Sequence, residues 1–360
     1  MSLRDERQAE FAKAWTNCGE FGILYLCPRF GKIYTTINIL EGFPLDINIL
    51  IAYPDKEIEK SWKSDFKKRG YKNPNVTYTT HMSLHKYESE VYDLIIIDEI
   101  HLLSEAQLIS AKILLMLNRI VCGLTGTMSE DTKAVIRMEL GLDVCAHYPI
   151  ELAIKEGVIT DYQITVFKVP LDRIEIGAFS KKDRHEKKQF DSLSWVIKRK
   201  QMEGDSAMFL RLARMRLIQN SVAKRNKTID ILSKNADKRA LVFCGTVKGA
   251  ESLGIPAFHS KTKDKELFQR FAGGEGKHMA VVKIGNAGTT YLPLDFVIMS
   301  SFDSNAENMA QKINRCMGVE YINPEKKAHI FIITTDEKVE LRWLSKALEF
   351  FDKSKIQYIL

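Results

Sequence analysis

Short apolar runs recur along the chain, and amphipathic stretches with helical spacing separate them. In the first 145 residues the runs are GILYL (22–26), INILIAY (47–53), VTYTT (76–80), YDLIIIDE (92–99) and RIVCGLTG (119–126). They are short, rich in β-branched residues and flanked by turn or helix signals, which predicts buried strands. Residues 55–69 and 104–117 predict helices between them. Strand–helix alternation of this kind predicts a parallel sheet with helices on both faces. The pattern returns in RALVFCG (239–245), HMAVVKIG (278–285), DFVIMSSF (295–302) and KAHIFIITT (327–335). The expected fold class is therefore α/β, with two parallel-sheet domains at 1–148 and 237–360. Residues 149–236 are expected to join them as a connector and helical region.

Charge changes the picture in one place. Residues 181–240 hold 17 Lys and Arg against 7 Asp and Glu, while the whole chain of 360 residues carries +7. The remainder is thus slightly acidic. Much of this basic region is helical in pattern, as in FLRLARMRLIQNSVAKRNKTIDIL (209–232). One reading is a solvated connector. The other is a surface for nucleic-acid phosphates, with Lys198, Arg199 and Lys200 among the contacts, because the excess is concentrated and not spread evenly.

Composition sets the outer limits. A hydrophobic share of 45% with only 20 Gly and 9 Pro excludes long disorder. The length suits about two domains, each with its own core. The six cysteines are far apart, with no C-x-x-C pair and no His pair at zinc spacing, so reduced core thiols are expected. The opening MSLRDERQAEFAKAW has no signal-peptide character, and no apolar window reaches membrane-spanning length. A cytoplasmic location is expected.

Two stretches carry candidate chemistry. CPRFGKIYTT (27–36) lies between a predicted strand and a predicted helix. A phosphate cradle needs backbone N–H groups at a helix N-terminus, a glycine for close approach and a lysine to reach the outer phosphates. Gly31 and Lys32 supply the last two. In VYDLIIIDEIH (91–101) a strand ends in Asp98 and Glu99, followed by His101. Carboxylates at the carboxyl end of a strand in an open α/β sheet lie where ligands bind. Asp98 suits Mg²⁺, and Glu99 suits the orientation of an attacking water.

These stretches, with others in order, resemble the superfamily 2 helicases of the DEAD/DEAH-box type over nearly the whole chain. Asp98-Glu99-Ile100-His101 stands as the DExH box, and CPRFGKIYT resembles motif I. ILIAYP (49–54), followed by Trp62, resembles motif Ia, and GLTGT (123–127) resembles motif III. ALVFCG (240–245), VVKIGNAGTTYLPLDFVI (281–298) and NMAQKINR (308–315) resemble motifs IV, V and VI. Gln8 stands where the family's adenine-reading glutamine stands. Residues 150–170 and 343–359 are similar to stretches of restriction-type and phage helicases.

The resemblance implies two RecA-like domains with ATP between them. Arg29, Gly31, Lys32 and Ile33 would form the phosphate loop, with Lys32 on the β- and γ-phosphates. Asp98 and Glu99 would serve Mg²⁺ and water, beside His101, and Gln311 and Arg315 would come from the second domain. Thr125 and Thr127 would couple the ATP state to a nucleic-acid track touching Thr80, Thr289 and Thr290. The implied partner is single-stranded or branched DNA, with RNA left open, and the chain leaves no room for a large accessory domain.

Three positions depart from the family pattern. Ile33 replaces the Ser or Thr that ligates Mg²⁺, Gly318 replaces the second arginine of motif VI, and Met128 replaces the proline after motif III. Neither Thr35 nor Thr36 reaches the ion from its position on the helix. Two readings follow: an ATP-driven helicase or translocase with slow turnover, and an impaired relative that binds ATP and nucleic acid as a clamp, annealing or regulatory module. A third class, a structural oligomer or small-molecule enzyme on a similar sheet, would show no salt-dependent nucleic-acid binding.

Overall fold

The computed structural model describes residues 2–171, 186–264, 266–282, 294–302, 309, 312, 313 and 327–359. They fall into two compact units that divide after Asp161.

The first unit runs α1 (Leu3–Asn17), β1 (Phe21–Leu26), α2 (Lys32–Leu40), β2 (Ile49–Tyr53), α3 (Lys56–Arg69), β3 (Val76–Thr80), β4 (Leu94–Asp98), α4 (Glu105–Leu117), β5 (Val121–Thr125), α5 (Glu130–Leu140), β6 (Val144–Tyr148) and α6 (Ile150–Lys155). The strand order is β3-β2-β4-β5-β1-β6, and every pairing is parallel. β2, β4 and β5 are buried along their whole length, as covering both faces of a sheet requires. Alternate residues Ile95 and Ile97 of β4 pack on one face against Leu108, Ala111 and Leu114 of α4. The buried Trp15 indole donates to the Val121 carbonyl at 3.1 Å and pins α1 to β5.

The second unit runs β7 (Tyr162–Val169), α7 (Glu186–Met202), α8 (Met208–Gln219), α9 (Val222–Ser233), β8 (Ala240–Cys244), α10 (Val247–Glu251), β9 (Ala257–Phe258), α11 (Leu267–Ala272), β10 (His278–Val282), β11 (Phe296–Met299), β12 (Ala328–Thr335), α12 (Lys338–Ala347) and β13 (Ile356–Ile359). Its sheet order is β13-β7-β12-β11-β8-β10-β9, again parallel throughout. A buried ion pair between Lys224 of α9 and Glu340 of α12 ties two of its helices together. Glu340 Oε2 also accepts from the Thr335 N–H and hydroxyl, each at 2.7 Å, so this buried carboxylate is fully partnered.

One expectation is corrected here. Residues 162–169 lie in the stretch read as connector, yet they form β7, which pairs with β12 from Ala328↔Tyr162 to Thr335↔Val169. The run YQITVFKV mixes polar and apolar residues, and a partner so distant in sequence leaves no local signal. The helical pattern over 209–232 folds as two helices, α8 and α9. Asn220 and Ser221 break it, and the Glu186 carboxylate caps the second piece by accepting from the Val222 N–H at 3.0 Å and the Ser221 hydroxyl at 3.1 Å. An acid at a helix N-terminus satisfies orphan donors and opposes the helix dipole.

Candidate nucleotide site

The loop after β1 is held from below by Phe30, whose buried ring packs edge-on against Phe11 at 5.5 Å and Tyr148 at 5.0 Å. Arg29 (φ 69°) and Gly31 (φ 102°) both turn left-handed, so the chain doubles back before α2 begins. A φ of 102° is a conformation that L side chains rarely adopt, so glycine is favoured at this bend, where an added Cβ would also press on Gln8 Nε2 at 2.6 Å. No side chain caps α2, and its N-terminal N–H groups face the loop that Gly31 closes. Lys32 is its first residue.

Parallel pairing brings the carboxyl ends of β1, β4 and β5 to one edge, with Asp98 in register with Leu124 and Tyr25 with Thr125. There the Lys32 ammonium forms an ion pair with Glu99 and stands 3.9 Å from Asp98 Oδ1. Glu99 itself is in the left-handed region at φ 50°, which swings its side chain back toward Lys32. Such strain in a non-glycine residue persists only where its surroundings enforce it.

The third strand end completes a chain of contacts. His101 Nδ1 lies 3.5 Å from Glu99 Oε2 and 2.8 Å from the Thr125 hydroxyl. Thr125 spends its one proton on the Thr127 carbonyl at 2.8 Å, so it accepts from His101, and Nδ1 carries the imidazole proton. Burial pushes His101 down to about 4, so the ring is neutral and Nε2 is a bare acceptor. That nitrogen, Asp98 Oδ1, Glu99 Oε2, Thr127 Oγ1 and Gln8 Oε1 are all buried with no hydrogen-bond partner among the described residues. Unsatisfied buried atoms are costly, and a cluster of them at one strand edge marks a place built for a ligand.

The charges are unequal. Burial and the neighbouring Glu99 raise the Asp98 carboxyl to about 6 against the pull of Lys32. Burial also opposes ionisation of Glu99, but Lys32 and the Gly126 N–H outweigh it and hold Glu99 low. Lys32 is raised, because Glu99 and Asp98 outweigh its own desolvation. Two buried carboxylates thus share one ammonium. This donor set fits Mg²⁺, a hard cation bound through one or two carboxylates and otherwise through water and phosphate oxygens. A consequence is testable in the free protein. Asp98→Asn is expected to raise the melting temperature by a few degrees at pH 8. The folded pKa near 6 lies above the unfolded value, so ionised Asp98 costs stability at pH 8. That cost fades as pH falls through about 6. The gap between variant and wild type should therefore begin to narrow below about pH 6 and close only near about pH 4, the ordinary carboxylate range of the unfolded chain, and a gap independent of pH would refute this origin.

Two partners of Asp98 were not assigned roles from sequence. Trp62 of α3 donates its indole N–H to Asp98 Oδ2 at 3.0 Å, and His81 Nε2 lies 2.9 Å from the Asp98 carbonyl. The i, i+4, i+8 spacing of Ile58, Trp62 and Phe66 marks the buried face of α3, but nothing in the spacing names the partner.

Gln8 is buried beside the loop and donates to the Phe30 carbonyl at 3.0 Å. It also lines an open groove of about 770 Å³ that runs along α1 and α2 past Arg69 to Glu41. Ile33 is half-buried on α2. Thr35 and Thr36 are fully buried and turn back onto the Gly31 and Lys32 carbonyls at 3.4 and 3.0 Å, so neither hydroxyl replaces the one missing at Ile33.

The chain resembles solved structures across nearly its full length. It matches a variant of S. cerevisiae Dbp5 bound to RNA and ADP BeF3 with a TM-score of 0.59 and 10% identity, over 94% of this chain and 85% of that one. It matches Mss116p, lacking its NTE and C-tail and bound to ssRNA and AMP-PNP, with a TM-score of 0.57 and 14% identity, over 94% and 71%. Both units are RecA-like. No family profile and no curated protein matches the sequence.

In the first RecA-like unit the sheet edge brings together Lys32, Asp98, Glu99, His101, Thr125 and Thr127, with Gly31 and Gln8 at the loop. Thr80 ends β3, where its hydroxyl donates to Ser83 Oγ at 3.4 Å. Lys198, Arg199 and Lys200 lie on α7 of the second unit. Arg199 pairs with Glu203 at 2.8 Å and Lys200 with Asp205 at 3.4 Å. Thr289, Thr290, Gln311, Arg315 and Gly318 lie outside the described residues.

Proposed function

We propose that the chain is an ATP-dependent helicase or translocase acting on single-stranded or branched nucleic acid. One observation carries this reading: Lys32 at an uncapped helix start faces Asp98 and Glu99, and Glu99 leads through His101 to Thr125 and Thr127. Asp98 would hold Mg²⁺, which when bound neutralises phosphate charge. The protein's own residues do the rest. Lys32 leaves Glu99 for the incoming phosphates, and Glu99, freed of its counter-charge, orients and deprotonates the attacking water. His101 then relays the change in Glu99 to Thr125 through the Nδ1–H bond. Gln311 and Arg315 keep the roles that the resemblance gives them.

The DNA preference rests on the resemblance to restriction-type and phage helicases, whereas both structural neighbours hold RNA. Steady-state hydrolysis of Mg·ATP should be measured with no strand, with single-stranded DNA and with single-stranded RNA. Stimulation by one strand is the expected result. Binding of that strand should weaken steeply with salt, since neutralised phosphates release counterions. A flat salt response without nucleotide binding would refute the reading. A second reading is a clamp that binds both ligands without turnover. The missing hydroxyl at Ile33, with Thr35 and Thr36 turned away, favours it, and strand binding with no hydrolysis above background would establish it.

A further inference from the structure

The helical pair α7–α8 has a feature that neither the nucleotide site nor the core explains. The two helices run antiparallel: Phe190 packs with Ile218, and the Arg214 guanidinium donates to Ser194 Oγ at 3.1 Å. Phe190 and Ile197 of α7 are buried, which fixes its inner face. The opposite face is Trp195, Lys198, Arg199 and Met202, at i, i+3, i+4 and i+7. Trp195 is 62% exposed and Met202 80%. At the far end of the turn, Phe209 on the first helical turn of α8 is 84% exposed. Ordinary surfaces scatter single apolar residues, but two aromatic rings this open on one hairpin call for a ligand.

The charges around the rings select its chemistry. The acids of the turn are spent locally, Glu203 on Arg199 and Asp205 on Lys200. The Arg199 guanidinium, steadied by Glu203, sits 5.8 Å from the Trp195 ring centre. Lys198, Arg211 and Arg216 have no ion-pair partner among the described residues. Flat rings flanked by uncommitted cations suit unpaired bases on a phosphate backbone: the bases stack on the aromatic faces and the cations track the phosphates. An apolar protein partner would leave these cations buried without counter-charge.

We propose that the α7–α8 hairpin is a stacking platform for a single strand, with Trp195 and Phe209 taking bases and Lys198 and Arg211 taking phosphates. The proposal rests on the nucleic-acid reading above and adds base contacts to a surface where sequence analysis assigned only cations. It also has a built-in reporter. Trp15 and Trp62 are fully buried and Trp343 is half-buried, so Trp195 is the open indole of the four.

The test uses the full chain with three probes of equal length: oligo-dT, oligo-U and an abasic oligonucleotide with the same phosphates. Binding is followed by anisotropy of an end label and, in parallel, by tryptophan emission. Oligo-dT or oligo-U should quench the emission, and the abasic strand should not. Trp195→Ala and Phe209→Ala should each weaken binding of the base-bearing strand by about tenfold. Neither should change abasic binding. Trp195→Phe keeps a ring and should retain affinity while removing the quench, which separates stacking from misfolding. If the strand binds but emission is unchanged and both alanine variants bind like wild type, the platform is wrong and the helicase reading stands. If no strand binds at all, both fall. The dT and U arms show whether the surface prefers a DNA or an RNA strand.

Discussion

Lys32→Ala is expected to abolish ATP turnover and to destabilise the first unit at the same time. Lys32 faces two buried carboxylates, paired with Glu99 and 3.9 Å from Asp98. Without it, transition-state charge on the phosphates loses a preorganised partner, and rates should fall by about 10²-fold or more. In the free protein the same change leaves buried negative charge uncompensated, a loss on the order of 3 kcal/mol for a broken buried pair. The control is the double variant Lys32→Ala/Glu99→Gln. It should regain part of the lost stability, because one of the two carboxylates that faced Lys32 no longer carries charge, but none of the turnover. Thermal melting beside steady-state hydrolysis reads both quantities. A single variant that melts like wild type would show that the Lys32–Glu99 pair does not hold the site together.

Ile33→Thr is expected to do the reverse and strengthen the proposed hydrolysis. Ile33 occupies the second position of α2, where a hydroxyl would complete the cation's oxygen ligands, and the buried Thr35 and Thr36 hydroxyls are committed to backbone carbonyls. Threonine is β-branched like isoleucine, so the helix start is undisturbed, and at a half-buried position the lost methyl costs little. Hard-cation sites are tuned by the number of oxygen ligands. The Mg²⁺ concentration for half-maximal hydrolysis should therefore fall by roughly tenfold, about 1.4 kcal/mol. A magnesium titration of wild type and variant at fixed ATP checks this. An unchanged midpoint would mean that Ile33 is not where the cation loses affinity.

Several parts of the site were legible because their causes are local. A run such as LIIID must be buried on both faces, so it predicts a central strand, and its terminal Asp98 then falls at the ligand edge. Gly31 before Lys32, between a predicted strand and a predicted helix, announces a loop where a phosphate could approach the backbone. The partners of these residues were not legible. Trp62 meets Asp98, and His101 meets Thr125, only because strand order places β5 beside β4 and α3 against the sheet. The mixed sequence of β7 likewise gave no sign of joining β12.

The sequence by itself determined the α/β class, the two parallel sheets and most of their central strands, and it named the candidate reactive groups, since burial pattern and side-chain chemistry are properties of short stretches. The tertiary structure decided which groups share a charge, which proton His101 carries, and that α7 turns Trp195 outward while burying Phe190. Those outcomes depend on packing between segments far apart in the chain, and no local pattern encodes such distances.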